Sequence, residues 1–218
     1  FNSISNFGID SYQVNEVTVA SASTTLSNFF MAGATGASRL LGTYNYAFGI
    51  GAMANATNSA MTSNIAIGRN ALAGSPTAQN TGAYNVAVGS FGENYSGALY
   101  SNTTGSKNSA FGAGALASNE SGDRNIAIGF EALSLSATSS DNVAIGDRAL
   151  ASFNYNRGYN TAVGSQALLL NRAGYYNTGI GGSALANNQS GYSNTGIGLS
   201  VLSANNSGAS STAIGAYA

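Results

Sequence analysis

The chain has 218 residues, a net charge of −1 and only 7% charged residues, against about 25% in ordinary globular proteins. This balance excludes electrostatic binding to nucleic acid or to an anionic membrane surface. Histidine and cysteine are both absent, which removes the commonest general base, disulfides and thiolate metal sites. A hydrophobic content of 44% still predicts a folded protein. No apolar run reaches the length of about 18 residues that suggests a membrane-spanning helix, so no membrane insertion is expected.

The first segment, residues 1–43, has no internal repeat. Val14, Val17 and Val19, followed by Leu26, indicate one or two β-strands within it. Because the open end of a stack of strands is an unprotected sheet edge, we expect this segment to be a cap or an attachment segment. The alternative is that it donates a strand to a neighbouring subunit.

Residues 44–218 are organised by a repeated phrase, Asn-x-(Ala/Gly)-(Ile/Val/Phe)-Gly. An Ala-Leu pair follows most of the closing glycines after two intervening residues, and a turn phrase of the type Asn-x-x-Gly comes next. Successive copies in the second half are mostly 17 residues apart, whereas the early copies are spaced more widely by insertions. The copies begin at Asn45, Asn64, Asn85, Asn108, Asn125, Asn142, Asn160, Asn177 and Asn194, and a last copy begins at Ser211.

A 17-residue unit is too short for a helix pair or a propeller blade, and its glycines and asparagines disfavour a helix. It is long enough for one coil of a β-solenoid, with x-Ala-Ile as one short strand and x-Ala-Leu as a second. Glycine and asparagine are expected at the corners, where φ is positive. The sequence therefore predicts an all-β fold, a parallel β-roll or β-solenoid of about ten coils. Strands stacked about 4.8 Å apart make this a rod on the order of 45–50 Å long.

The sizes of alternating side chains predict which residues face outward. If the small Ala faces into the coil, the larger residue before Gly points out, and a monomer would expose a long apolar stripe. We therefore expect a homo-oligomer, with threefold symmetry preferred because three thin coils close a small core. The alternative is that the larger residues fill the coil. The interface residues predicted in this way are Ile67, Val88, Phe111, Ile128, Ile145, Val163, Ile180, Ile197 and Ile214, with Phe48 at the start of the same column.

Over roughly residues 45–215, the repeat Asn-x-Ala-Ile-Gly-x-x-Ala-Leu resembles the head repeats of trimeric autotransporter adhesins, and also repeats of phage tail-fibre-like proteins. The resemblance implies a left-handed parallel β-roll in an intertwined homotrimer. It also implies an extracellular, cell-surface or virion-surface location. The period of 17 is longer than the adhesin unit.

The acidic residues are explained by the repeat rather than by catalysis. Glu131 and Arg148 occupy equivalent positions in adjacent coils, as do Arg124 and Asp141, so each pair is expected to form an ion pair between coils. The aspartates do not cluster as they do in calcium-binding repeats. We therefore expect no catalytic residue, no metal site and no cofactor.

Two groups of residues are candidates for binding a glycan or protein receptor. The first is an insertion after Gly89, because insertions in solenoids become surface loops; its candidate residues are Phe91, Glu93, Asn94 and Tyr95. The second is an aromatic strip, in which rings stack on one another or on sugars. The strip consists of Tyr159, Tyr176, Tyr175 and Tyr192.

These observations favour a non-enzymatic structural or adhesive fibre, a trimeric head or shaft that presents a binding surface to host or cell-surface receptors. The main alternatives are a self-assembling extracellular filament subunit and a phage tail-fibre shaft. An enzyme acting on polysaccharides is disfavoured by the missing histidine. Ice binding is a further alternative, because Thr161, Thr178, Thr195 and Thr212 recur in register.

Overall fold

A computed structural model describes residues 11–14, 17–23, 27–31, 42–56, 58–78, 80–90, 96–152 and 158–218. These residues form one 13-stranded sheet in which the strands follow one another in chain order. The strands are β1 (Ser11–Val14), β2 (Val17–Ser23), β3 (Asn28–Met31), β4 (Tyr46–Phe48), β5 (Ile65–Ile67), β6 (Val86–Val88), β7 (Ser109–Phe111), β8 (Ile126–Ile128), β9 (Val143–Ile145), β10 (Thr161–Val163), β11 (Thr178–Ile180), β12 (Thr195–Ile197) and β13 (Thr212–Ile214). We call each strand from β3 onward, with its flanking residues, a rung.

Strands β3 to β13 are parallel and in register, so the predicted all-β parallel β-solenoid is confirmed. In each pairing the central residue of one strand lies beside the central residue of the next, as Ala127 does beside Ala144. The described residues include no helix long and apolar enough to cross a membrane.

One or two strands were expected in the N-terminal segment; two are present around Val14, Val17 and Val19, and a further strand lies there that the repeat did not predict. β1 pairs antiparallel with β2, and β2 pairs antiparallel with β3. β3 then pairs parallel with β4, so it is already a rung of the solenoid although it lies within residues 1–43. The repeat is hidden in this rung because Phe30 replaces the usual small residue and the next two positions of the phrase are also altered. The Phe30 side chain is buried and belongs to the hydrophobic core.

The inside of each coil is filled by small strand residues and by the Leu of the Ala-Leu pair. In rung β8, Ala127 and Leu133 are both fully buried. The residue before the closing glycine points the other way: Phe48 is 50% exposed, Ile67 43% and Ile197 37%. The predicted outward direction of this column is therefore confirmed, and the alternative in which it fills the coil is wrong.

The prediction that x-Ala-Leu forms a second strand is wrong, because this segment is a turn. Leu116, Leu133 and Leu150 have φ between +50° and +54° instead of extended values. The turn still joins neighbouring rungs, since the Leu133 amide donates a hydrogen bond of 2.9 Å to the Ala149 carbonyl. The left-handed turn brings the leucine side chain into the coil, where burial offsets the strain of its backbone.

The predicted use of Gly and Asn at the corners is only half right. Gly129 has φ +135°, and a Cβ there would lie 2.4 Å from the Gly146 carbonyl oxygen. The other corners, however, carry residues such as Arg124 (φ +55°) and Glu131 (φ +51°) in left-handed conformations that cost about 1–2 kcal/mol each. Their amides donate hydrogen bonds to the preceding rung, which helps to offset this cost.

The repeat Asn residues are not corners but form a buried ladder along the rod. The Asn125 amide donates to Asn108 Oδ1 at 2.9 Å, and Asn125 Oδ1 accepts from the Asn142 amide at 3.0 Å. Asn125 Nδ2 donates to the Ser139 carbonyl at 2.8 Å. Each Asn thus satisfies backbone groups of its neighbours inside the coil, where unpaired polar groups are costly.

A second buried ladder starts at the turn phrase, and it has one defect. Asn119 Nδ2 donates to Asn102 Oδ1 at 2.7 Å and to the Gly122 carbonyl at 3.1 Å. The next rung has Ser136 where the ladder needs Asn, and the Ser136 hydroxyl bonds to that of Ser139 instead. Asn119 Oδ1 is consequently buried with no hydrogen-bond partner.

Repairing this defect should require two coupled substitutions. In the equivalent turn, a Cβ at Gly122 would lie 2.5 Å from Asn119 Oδ1, so an Asn at position 136 needs Gly at position 139. We expect Ser136→Asn alone to destabilise the chain through that clash. Combined with Ser139→Gly, it should stabilise by about 1–2 kcal/mol, by giving Asn119 Oδ1 a donor. Urea unfolding of both single variants and the double variant measures the coupling energy; additive effects would contradict the ladder explanation.

Candidate functional site

The most extensive candidate site is the outer face of the parallel sheet, which we call the outer sheet face. Each rung contributes the two residues that flank its central, inward-facing residue, so the face is two side chains wide. From β3 to β9 both columns are apolar, with Ser109 as the exception. From β10 to β13 the first column becomes Thr161, Thr178, Thr195 and Thr212, and the second stays aliphatic. The predicted interface residues therefore lie together in one continuous column.

The aromatic strip lies beside this face, at the corner that precedes the repeat Asn. The rings of Tyr159 and Tyr176 stack with centroids 5.1 Å apart, and those of Tyr175 and Tyr192 stack at 5.2 Å with an angle of 9°. Tyr175 and Tyr176 meet edge to face at 5.4 Å. The predicted stacking between rungs is confirmed. Because the rings cover one another's faces, this geometry favours the stabilising ladder over a row of sugar platforms.

Both predicted ion pairs are present, on opposite corners of rungs β8 and β9. Arg124 Nε and Nη2 donate to the two carboxylate oxygens of Asp141 at 2.6 and 2.8 Å. On the other corner, Arg148 Nε donates to Glu131 Oε2 at 3.0 Å. The hydrogen bond from Arg124 holds the pKa of Asp141 below its ordinary value and raises the pKa of Arg124. Both arginine side chains keep about half of their surface exposed, so these pairs alone stabilise the fold little.

The remaining site predictions divide between the described and undescribed parts of the chain. Phe91, Glu93, Asn94 and Tyr95 lie outside the described residues. Among the residues that are described, no group of three or more acidic side chains is arranged to hold a metal ion. The asparagine ladders were not predicted from the sequence, although the regular spacing of the repeat Asn residues was the signal that could have found them.

A shallow groove of about 210 Å³ lies at the corner that follows the closing glycines. Its lining includes the small residues Ala113 and Gly114 of rung β7, together with Phe130, Glu131 and Leu135 of rung β8. The groove exists because rung β7 has no bulky side chain at positions where rung β8 has two. It is therefore a feature of this chain's corner sequence rather than of the repeat.

Comparison of the chain with protein-family models, curated proteins and solved structures finds no match.

Proposed function

We propose that the chain is a non-enzymatic structural or adhesive fibre module that works as a homotrimeric rod on a cell or virion surface. The outer sheet face is the observation that carries this proposal. It extends from β3 to β13 in one register and exposes isoleucine, phenylalanine and tyrosine side chains to solvent in a single chain. Contiguous apolar faces of this kind are typical of protein–protein contacts, and identical chains supply a surface of the same length and period.

Three copies suit the width of this face. Each rung presents two outward side chains, so three rungs at one height would enclose six side chains around an axis. A larger ring of such narrow walls would leave an open centre, which apolar residues disfavour. In a dimer, two outer sheet faces would lie face to face, and the corners at the edges of one sheet would not be covered by the other. The resemblance to adhesin head repeats points to the same symmetry and to a left-handed coil.

If the outer sheet face is buried between subunits, a receptor can bind only to the remaining surface of the rod. We expect a glycan or protein receptor to dock on the exposed tyrosines of the aromatic strip, such as Tyr159 and Tyr176, or on the insertion at residues 90–95. The threonine column favours a second candidate function, ice binding, because Thr161, Thr178, Thr195 and Thr212 pair in register on adjacent parallel strands. The two proposals exclude each other, since a trimer buries this column.

The mass of the wild-type chain in solution tests the proposal. We expect sedimentation equilibrium and light scattering to give three times the chain mass of 21.8 kDa, in an elongated particle. A monomer with thermal hysteresis activity would favour ice binding. Particles that grow end to end in electron micrographs would favour the filament subunit, and a monomer or dimer without either property would contradict the trimer.

A further inference from the structure

The charges at the two corners of rungs β8 and β9 form a complementary pattern. We call the residue before the repeat Asn the entry corner, and the second residue after the closing glycine the exit corner. Rung β8 has Arg124 at its entry corner and Glu131 at its exit corner. Rung β9 has the reverse, Asp141 at entry and Arg148 at exit. Among the described rungs, only these two carry a charge on both corners.

This pattern has a specific consequence for how two copies pack. When parallel chains surround an axis that runs along the rod, the entry side of one sheet borders the exit side of the next, at the same rung height. An antiparallel pair would instead bring entry corners beside entry corners. At both β8 and β9, the parallel arrangement therefore places the entry-corner charge of one chain opposite an exit-corner charge of the other sign on the next chain.

We infer that a second copy of this chain docks in register on each edge of the outer sheet face, with its entry corner against the exit corner of the first. This inference rests on the proposed homo-oligomer and specifies its arrangement. Arg124 then faces Glu131 of the partner subunit, and Asp141 faces Arg148 of the partner subunit. Together with the two pairs within each chain, every such contact becomes a closed network of four charges.

The exposure of these side chains leaves room for the network. Arg124 and Arg148 are 52% and 50% exposed although each already has a carboxylate partner in its own chain. Asp123 Oδ2 lies 3.9 Å from Arg124 Nη1, and Asp123 Oδ1 accepts a hydrogen bond from the Ser106 amide, so Arg124 keeps this exposure with two carboxylates of its own chain beside it.

The groove at the exit corner supports the same register. At rung β7 this corner is lined by Ala113 and Gly114, and Glu131 borders the groove from the rung above. The entry corner of the same rung is Lys107, an exposed and long cationic side chain. In-register docking places this lysine opposite the groove of the next subunit, beside a carboxylate.

Exchanging the two charges of one ion pair tests this arrangement, because the ion pair within the chain is kept while the charges facing the partner subunit are reversed. Arg124→Asp with Asp141→Arg keeps the entry-corner ion pair but places like charges opposite each other across the contact between subunits. Glu131→Arg with Arg148→Glu does the same on the exit corner. The matched control combines all four substitutions, which restores unlike charges between subunits. Each variant is assayed by sedimentation for its dissociation constant, and by circular dichroism for its fold.

We expect each two-residue inversion to raise the dissociation constant at least about tenfold at low ionic strength, and the four-residue variant to return it near the wild-type value. The differences should shrink in about 1 M salt, where the screening length is about 3 Å. If a two-residue inversion does not fold, the salt dependence of the wild-type assembly decides: weakening with added salt supports the network, and indifference overturns it.

Other outcomes separate this inference from the proposed function. A trimer that tolerates both two-residue inversions would overturn the corner network and leave the proposed function standing. A four-residue variant that remains as weak as the inversions would also overturn the network. A monomeric wild-type chain would instead reject the proposed homo-oligomer itself.

Discussion

Replacing Asn125 by Leu should destabilise the fold by about 2–6 kcal/mol. The substitution keeps the size of the side chain but leaves the Asn142 amide and the Ser139 carbonyl without their partners inside the coil. Each buried polar group that loses its partner costs about 1–3 kcal/mol. Because whole domains are stable by about 5–15 kcal/mol, we expect a large fall in the urea midpoint.

Asn206→Leu is the matched control for this prediction. Asn206 is exposed, and its backbone carbonyl, which a substitution keeps, accepts the hydrogen bonds from Gln189 and Ser190. The control should change the midpoint by no more than about 0.5 kcal/mol. Equal effects of the two substitutions would show that the ladder asparagines do not hold the rungs together.

Replacing Ile180 by Asp should abolish the proposed trimer. In one chain this side chain is 38% exposed, so a carboxylate there remains hydrated. In the trimer three carboxylates would be buried near one axis, and each unpaired charge costs several kcal/mol to bury. We expect sedimentation and light scattering to show monomers or misfolded aggregates.

Tyr100→Asp serves as the control for Ile180→Asp. Tyr100 lies in the turn between β6 and β7 and is 39% exposed, so this substitution introduces the same charge outside both the outer sheet face and the exit-corner groove. This variant should keep the wild-type mass. If the Ile180→Asp chain forms an unchanged, soluble trimer, the outer sheet face does not lie between subunits.

The repeat made neighbours across rungs predictable, because a residue and its equivalent in the next coil must stack once the strands are parallel. For this reason the Arg124–Asp141 pair and the Tyr159–Tyr176 stack followed from spacing alone, whereas the outward direction of the aliphatic column also needed the alternation of small and large side chains. The backbone of the turns did not follow. Leucine and arginine disfavour positive φ, so intrinsic preference gave no sign that Leu133 and Arg124 adopt it. Hydrogen bonds to adjacent rungs override that preference.

The asparagines were misassigned for a related reason. Their preference for left-handed corners is real in isolated turns, but a buried coil also needs side chains that bond to backbone groups above and below. Asn142 serves that purpose, and its spacing fitted both roles equally well. Rung β3 was missed because three positions of the repeat phrase are altered in its sequence: Phe30 replaces the small residue, Met31 the aliphatic residue and Ala32 the closing glycine. Receptor binding by the insertion at residues 90–95 remains a prediction.

The left-handed turns imply a mode of folding in which one coil templates the next. Within rung β8 the strained residues Arg124 and Glu131 donate their amides to the preceding rung and Leu133 donates its amide to the following one, so a solitary coil bears the conformational penalty without the compensating bonds. Initiation should therefore be slow and growth rapid, as in a one-dimensional crystal that adds layers at its ends. Shortening the array by removing whole coils should then lower its melting temperature progressively, rather than abolish the structure at one decisive boundary.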